Sequence, residues 1–148
     1  MKFLGLLGVA ALCSAVFTGC SSSGKNYTLP EGDEYQGYKI IDGVDKNSLR
    51  EEVSTGDKLA VVVRDIATTA YSYLPPRFNN SMVDFEGLVR CCTSTSPVMG
   101  NSGLSVYRFK FIGKGNTTIR LVARQKGLSP TANHFDTDNI VELNVKVE

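Results

Sequence analysis

Alternation of apolar and polar residues along four segments constrains the fold of this chain more than any other feature. In a β-strand successive side chains point to opposite faces, so an apolar residue at every second position builds one buried face. Tyr107–Phe111 has the cleanest pattern, with Arg108 and Lys110 between three aromatic residues. The other three segments are Leu59–Arg64, Ile119–Arg124 and Val141–Glu148. We predict a β-strand for each, and we expect the Leu59–Arg64 strand to be buried strongly on one face and partly on the other.

Shorter alternating runs and the turn residues between them indicate the number of strands. Weaker strand candidates lie at Tyr38–Ile41, Tyr71–Leu74 and Phe85–Arg90. Clusters of Gly, Pro, Ser and Asn separate the runs, and the one candidate for helical structure is a turn near Asn47–Val53. Short strands at this spacing over roughly 110 residues are typical of an immunoglobulin-like sandwich. We therefore predict an all-β fold, an immunoglobulin-like antiparallel β-sandwich of about seven strands.

The first 19 residues have the features of an export signal. Lys2 precedes an apolar run from Phe3 to Phe17, which is too short to span a bilayer comfortably. The run ends in Phe17-Thr18-Gly19-Cys20, which resembles the end of a bacterial lipoprotein signal. The resemblance implies cleavage before Cys20, a lipid on its thiol, and an extracytoplasmic bacterial membrane lipoprotein, in the periplasm or at the cell surface. An ordinary secretory signal with an incidental cysteine is the alternative.

Composition divides the chain into three regions. Residues 1–19 form the signal peptide. Ser21–Asp33 is short of large apolar side chains, so we interpret residues 20–36 as a lipidated flexible tether. Residues 37–148 carry the alternating pattern and form the predicted domain.

Charge and residue counts exclude several classes of function. Sixteen Lys and Arg against fifteen Asp and Glu give a formal net charge of +1, so no dominant positive field would attract nucleic acid. With one His and four Cys, the chain offers few side chains for a multi-histidine metal site or a histidine-based catalytic relay. We expect a binding protein rather than an enzyme, with no metal and no cofactor.

The adjacent Cys91 and Cys92 leave three alternatives open. They are unbridged or modified thiols, or they form a strained vicinal disulfide, since neighbouring Cα atoms lie only about 3.8 Å apart. In the third alternative they have a metal or redox role, although the chain offers no second ligand cluster. A nucleophilic role would need His134 as a base and a third group to orient its imidazole.

One loop carries a more specific signal. Ile-Ala-Thr-Thr-Ala at residues 66–70 is followed by Tyr71-Ser72-Tyr73. This segment resembles the first binding loop of the chagasin-type inhibitors of papain-like cysteine proteases, which reads Asn-Pro-Thr-Thr-Gly, then an aromatic, a small residue and another aromatic. Thr68-Thr69 and the Tyr-Ser-Tyr run match that pattern, whereas Ile66, Ala67 and Ala70 replace Asn, Pro and Gly.

Two further segments follow in that family's order. Gly100-Asn101-Ser102-Gly103 resembles the family's Gly-x-Gly-Gly turn before a strand of alternating aromatics, with Ser102 at one glycine position. Arg124-Gln125-Lys126-Gly127 lies where the family has Arg-Pro-Trp, and only the arginine matches. The resemblance covers roughly Asp57–Val147. It implies an immunoglobulin-like sandwich, in agreement with the strand pattern.

The resemblance implies a reversible, tight-binding inhibitor that blocks the active-site cleft of a papain-like cysteine protease with three loops. The implied protease-binding residues are Thr68, Thr69, Ala70, Tyr71, Gly100, Asn101, Ser102, Gly103, Arg124, Gln125 and Lys126, with Arg124 on the rim of the enzyme. We expect a monomer that contacts the membrane through the lipid on Cys20. The alternative is a non-inhibitory immunoglobulin-like surface lipoprotein with an adhesive or structural role, in which these loops merely turn corners.

Overall fold

The computed structural model describes residues 27–91, 103–129 and 139–148, and within these ranges the chain is all-β. The strands are β1 (Tyr38–Asp42), β2 (Ser48–Val53), β3 (Lys58–Arg64), β4 (Tyr71–Tyr73), β5 (Val83–Cys91), β6 (Leu104–Phe111), β7 (Gly115–Gln125) and β8 (Asn139–Val147). A single turn of 3-10 helix at Asp33–Tyr35 precedes them. The predicted fold class is confirmed.

Two four-stranded sheets form the sandwich, in the orders β1-β3-β6-β5 and β2-β8-β7-β4. The pairings β3–β6, β5–β6, β7–β8 and β4–β7 are antiparallel, as predicted. The edge pairings β1–β3 and β2–β8 are parallel, which the sequence analysis did not predict. The chain crosses from the first sheet to the second between β1 and β2. Each of these two edge strands pairs with a strand that runs parallel to it.

Strand β2 lies where the sequence suggested a turn of helix. Its side chains alternate between exposed and buried positions, which is the period of a strand. The alternation is hard to recognise in the sequence because one of the half-buried positions holds a charged residue, Glu51. Its carboxylate lies 2.5 Å from the Lys39 ammonium on β1, and this ion pair joins the edges of the two sheets.

The main core fills the space between the sheets. Leu59, Val61 and Val63 of β3 point into it, as do Phe109 and its aromatic neighbours on β6. Phe109 is fully buried, and its ring centroid lies 5.3 Å from that of Phe85. Burial of each large apolar side chain contributes about 1.5–3 kcal/mol. The apolar residues of the alternating pattern therefore form the inner face of each sheet.

A second apolar cluster covers the outer face of the first sheet. Ala60 and Val62 are fully buried there, so β3 is buried on both faces. Tyr35 is buried against this face, and Tyr27 and Leu29 pack beside it. The residues from Tyr27 onward thus pack on the sandwich, although the sequence analysis assigned residues 20–36 to the tether. Residues 1–26, including Cys20, lie outside the described part of the chain.

Strand directions give the sandwich two distinct ends. At one end of the sandwich β3 and β7 terminate and β4 and β6 begin, and we call this end the loop end. We call the opposite end the far end. Register fixes this arrangement, because Arg64 pairs with Leu104 and Tyr71 pairs with Gln125. The loop end therefore carries the connection from β3 to β4, the residue that precedes β6, and the residues that follow β7.

Candidate functional site

The connection between β3 and β4 is a tight turn that Thr69 closes. The Thr69 amide donates to the Ile66 carbonyl at 2.9 Å, and its hydroxyl donates to the same oxygen at 2.8 Å. The Tyr71 amide in turn donates to the Thr69 hydroxyl at 3.1 Å. A threonine hydroxyl that bonds to its own loop in this way fixes the backbone locally. Thr69 therefore shapes the loop from inside.

Thr68 is exposed at the tip of that turn. Asp65, at the end of β3, starts the turn by accepting a 2.9 Å hydrogen bond from the Ala67 amide. Ala70 is also exposed, and Asp45 is the one non-glycine residue with positive φ in the described ranges. Alanine at position 70 therefore fits an ordinary backbone conformation, although the resembled family has glycine there.

The segment before β6 lies directly beside this turn. The Asp65 amide donates to the Gly103 carbonyl at 3.1 Å, which extends the β3–β6 ladder beyond the strands. Gly103 is half-buried. The other predicted residues of this loop, Gly100, Asn101 and Ser102, lie outside the described residues.

Lys126 attaches the segment after β7 to the same turn. Its backbone amide donates to the Ala70 carbonyl at 2.8 Å. Its ammonium donates to the carbonyls of Ala67, at 2.8 Å, and Thr69, at 2.7 Å. A cation that bonds two carbonyls of one turn opposes opening of that turn. The sequence analysis named Lys126 as a protease contact, and its contacts in the structure are with the Thr68-Thr69 loop.

The chain turns immediately after Lys126. The Leu128 amide donates to the Gln125 carbonyl at 3.4 Å, and Gly127 between them has φ of 88°. Glycine is favoured at this turn position because it adopts positive φ without steric cost. Gln125 and Lys126 are exposed beside Ala70, so this turn brings polar side chains to the loop end.

Arg124 is placed differently from its predicted role on a protease rim. Only 4% of its surface is exposed, and its guanidinium donates to the Ser129 carbonyl at 2.9 Å. A buried guanidinium fixed to its own loop is not presented to a partner. The prediction rested on the position of Arg124 in a motif, whereas the direction of its side chain is set by β7 and by the turn that follows. In this structure the Arg124 guanidinium is bonded to the segment that follows β7.

The half-buried Tyr73 of β4 and the buried Tyr107 of β6 form an aromatic pair in contact with the main core. The rings of Tyr73 and Tyr107 meet edge to face at 5.8 Å. Burial raises the pKa of each hydroxyl to about 12. Tyr71, which was predicted as a contact residue, is half-buried at the start of β4. The two tyrosines of β4 are therefore half-buried, while Thr68 and Ala70 of the preceding turn are exposed.

Ion pairs surround the loop end on the side of the first sheet. Arg64 binds the Asp45 carboxylate through two hydrogen bonds of 2.8 and 2.7 Å, which lower the pKa of Asp45. Arg90 lies 3.7 Å from the carboxylate of Asp65. Sequence reasoning missed Asp65, although an aspartate directly after a strand is a known turn signal.

The described residues contain neither a metal-binding cluster nor a membrane-spanning helix. No three His, Cys, Asp or Glu side chains within them cluster as metal ligands. None of the helical structure described is long and apolar enough to cross a bilayer. Cys91 is half-buried at the end of β5 and packs against the outer cluster, whereas Cys92 and His134 lie outside the described part. The three alternatives for the cysteine pair therefore stay open.

Comparison with known proteins identifies this fold. No family model matches the sequence, and no curated protein matches it. Among solved structures the chain is similar to the cysteine protease inhibitor EhICP2 from Entamoeba histolytica, with a TM-score of 0.53 and 14% identity over 75% of this chain and 95% of that one. It also matches Leishmania mexicana ICP, with a TM-score of 0.43 and 17% identity over 68% of this chain and 90% of that one. A third match is PbICP-C, solved in complex with falcipain-2, with a TM-score of 0.46 and 15% identity over 75% and 98%.

The match to EhICP2 confirms the sandwich fold that the resemblance to the chagasin-type inhibitors implied. EhICP2 is a cysteine protease inhibitor, and the match at 14% identity shows a shared fold. The chain therefore has a chagasin-like fold, which it shares with EhICP2.

Proposed function

We propose that this domain is a reversible inhibitor of papain-like cysteine proteases, and that its loop end blocks the active-site cleft. The observation that carries the proposal is the convergence of the Thr68-Thr69 turn, Gly103 and Lys126 through direct hydrogen bonds at one end of a sandwich with the fold of EhICP2. In this proposal Thr68 and Ala70 enter the cleft, and Gln125 flanks them.

The conformation of the turn explains how it would resist cleavage. The hydrogen bond from the Thr69 amide to the Ile66 carbonyl curves the backbone through four residues. A protease cleaves a peptide that lies extended along its cleft, so a curved tip fills the cleft without placing a peptide bond at the nucleophile. Because Thr69 and Lys126 hold this curvature before binding, little conformational entropy is lost in the complex.

Titration of papain with the soluble chain tests the proposal. Both apolar clusters consist of residues from Tyr27 onward, so a chain that begins at Ser21 keeps the entire described core. Inhibition is measured as loss of hydrolysis of a fluorogenic peptide. We expect the wild-type chain to inhibit and Thr68→Arg to inhibit at least about thirtyfold less, because disrupting a hot-spot position that fits a closed pocket costs about 2 kcal/mol or more.

Ser54→Arg is the matched control for that variant. Ser54 is exposed in the turn after β2, at the far end, so this arginine adds the same charge and bulk away from the proposed contact. We expect it to inhibit like wild type. Absence of inhibition by the folded wild-type chain would overturn the proposal and would favour the adhesive or structural alternative.

We also propose that the mature chain begins at Cys20 and is held at a bacterial membrane, outside the cytoplasm, by a lipid on that cysteine. The apolar run and the small residues before Cys20 support this proposal. Mass spectrometry of the membrane fraction should find an acylated N-terminal peptide, and Cys20→Ser should abolish the acylation. We expect the soluble chain to be a monomer in size-exclusion chromatography.

A further inference from the structure

The chain enters the sandwich at the loop end. The Tyr27 hydroxyl donates to both carboxylate oxygens of Asp42, at 3.0 Å each. The Arg64 guanidinium lies 5.9 Å from the centroid of the Tyr27 ring, within the range of a cation–π contact. Asp42 ends β1 and Arg64 ends β3, and β3 leads directly into the Thr68-Thr69 turn. Tyr27 is therefore attached beside that turn.

From Tyr27 the chain crosses the outer face of the first sheet to the far end. Leu29 packs on this face, Pro30 is buried, and Tyr35 is buried just before β1 begins. We call residues 27–36 the strap. Because Tyr27 is attached beside the Thr68-Thr69 turn, the chain enters the described domain at the loop end.

The C-terminus lies at the opposite end of the molecule. Glu148 follows β8, and its carbonyl accepts a 3.0 Å hydrogen bond from the Thr55 amide in the turn after β2. Val147 pairs with Gly115 at the start of β7. Attachment through the strap therefore holds the molecule by its loop end, and attachment through the C-terminus holds it by its far end.

We infer that an anchor at Cys20 directs the loop end toward the bilayer, and that the anchored chain acts on proteases lying at the membrane surface in preference to proteases free in solution. This inference rests on the proposed function and on the proposed lipid anchor. Six residues lie between Cys20 and Tyr27, so seven Cα–Cα steps separate the two. Fully extended, they span at most about 25 Å at about 3.6 Å per residue.

The size of a protease makes this distance restrictive. A globular enzyme of about 200 residues has a radius of gyration of about 16 Å and hence a diameter of about 40 Å. It does not fit between the bilayer and a loop end held about 25 Å away. A complex with the anchored chain must lie on its side, with the enzyme against the headgroups. A protease already held at that surface meets this condition, and one arriving from solution must reach a partly shielded loop end.

Anchoring the chain by either terminus tests the inference. Six histidines placed directly before Ser21 attach the strap end to phosphatidylcholine vesicles that contain a nickel-chelating lipid, at the native tether length. The same tag after Glu148 attaches the far end and serves as the matched control. We expect soluble papain to be inhibited about tenfold less well by the first form than by the second, because geometry limits access to the loop end. Without vesicles the two forms should inhibit equally.

A spacer provides the second measurement. Twenty Gly and Ser residues inserted between Asn26 and Tyr27 add a root-mean-square length of about 25 Å. We expect this insertion to restore inhibition by the form anchored through the strap. Equal inhibition by the two anchored forms, or no recovery with the spacer, would overturn the inference. If neither form inhibits papain in the absence of vesicles, the proposed function itself fails, and the two failures are thereby distinguished.

Discussion

Removal of the Lys126 ammonium tests whether the Thr68-Thr69 turn must be held closed for function. Lys126→Met keeps the length of the side chain and deletes the hydrogen bonds to the carbonyls of Ala67 and Thr69. Both bonds are exposed, so solvent reduces each to about 0.5 kcal/mol, or about 1 kcal/mol in sum. That sum lowers the population of the closed turn about fivefold relative to open conformations, and the apparent affinity falls by up to the same factor.

The assay combines the inhibition constant for papain with hydrogen exchange of the Thr69 amide. We expect the variant to inhibit less well, by up to about fivefold, and its Thr69 amide to exchange faster because the bond to Ile66 opens more often. Lys146→Met is the control, since Lys146 is an exposed lysine near the end of β8, and its ammonium pairs with Glu148 at the far end. Faster exchange at Thr69 with unchanged inhibition would refute the reasoning, because the turn would then open without consequence for binding.

Three further predictions concern stability and ionisation. Phe109→Ala should lower the free energy of unfolding in urea by about 3–5 kcal/mol, because the deleted ring is fully buried. Tyr73 and Tyr107 should ionise near pH 12 when absorbance at 295 nm is followed, since burial raises their pKa to about 12. Their contribution to stability is complete below about pH 10, the pKa of unfolded tyrosine, and is lost as the pH rises from there toward 12. Gly113→Ala should lower the melting temperature, because the new Cβ would lie 2.7 Å from the Ser81 carbonyl oxygen.

The strands that the sequence predicted best are those with one continuous apolar face. Phe109 and Leu143 lie in such runs, and both point into the core. Strand β2 was missed because Glu51 occupies a half-buried position and forms an ion pair with Lys39 of the other sheet. A tertiary ion pair of this kind has no local sequence signature. The parallel edge pairings were missed for a similar reason, since they depend on where the chain crosses between sheets.

The position of the site was more predictable than the orientation of its side chains. The order of the loops along alternating strands predicts which connections share an end, and Gly103 and the Thr68-Thr69 turn do share one. Side-chain direction was not predictable in this way. The Arg124 guanidinium bonds to the Ser129 carbonyl of its own loop, and Lys126 reaches over the turn to the Thr69 carbonyl. A motif gives the position of such residues, whereas local hydrogen bonds decide whether they contact a partner or support the loop.

The loop end is held by bonds between the ends of four strands, which explains how it tolerates changes in the motif. Asp65, after β3, bonds to Gly103 before β6, and Lys126, after β7, bonds to Ala70 before β4. Each bond joins strands that are already paired in a sheet, so closing the turn adds little entropic cost. The proline of the resembled motif restricts a loop through the chain itself, and its glycine permits a positive φ. Here Thr69 and Lys126 restrict it through hydrogen bonds, so a domain with Ala67 and Ala70 at those positions still has a closed and exposed tip.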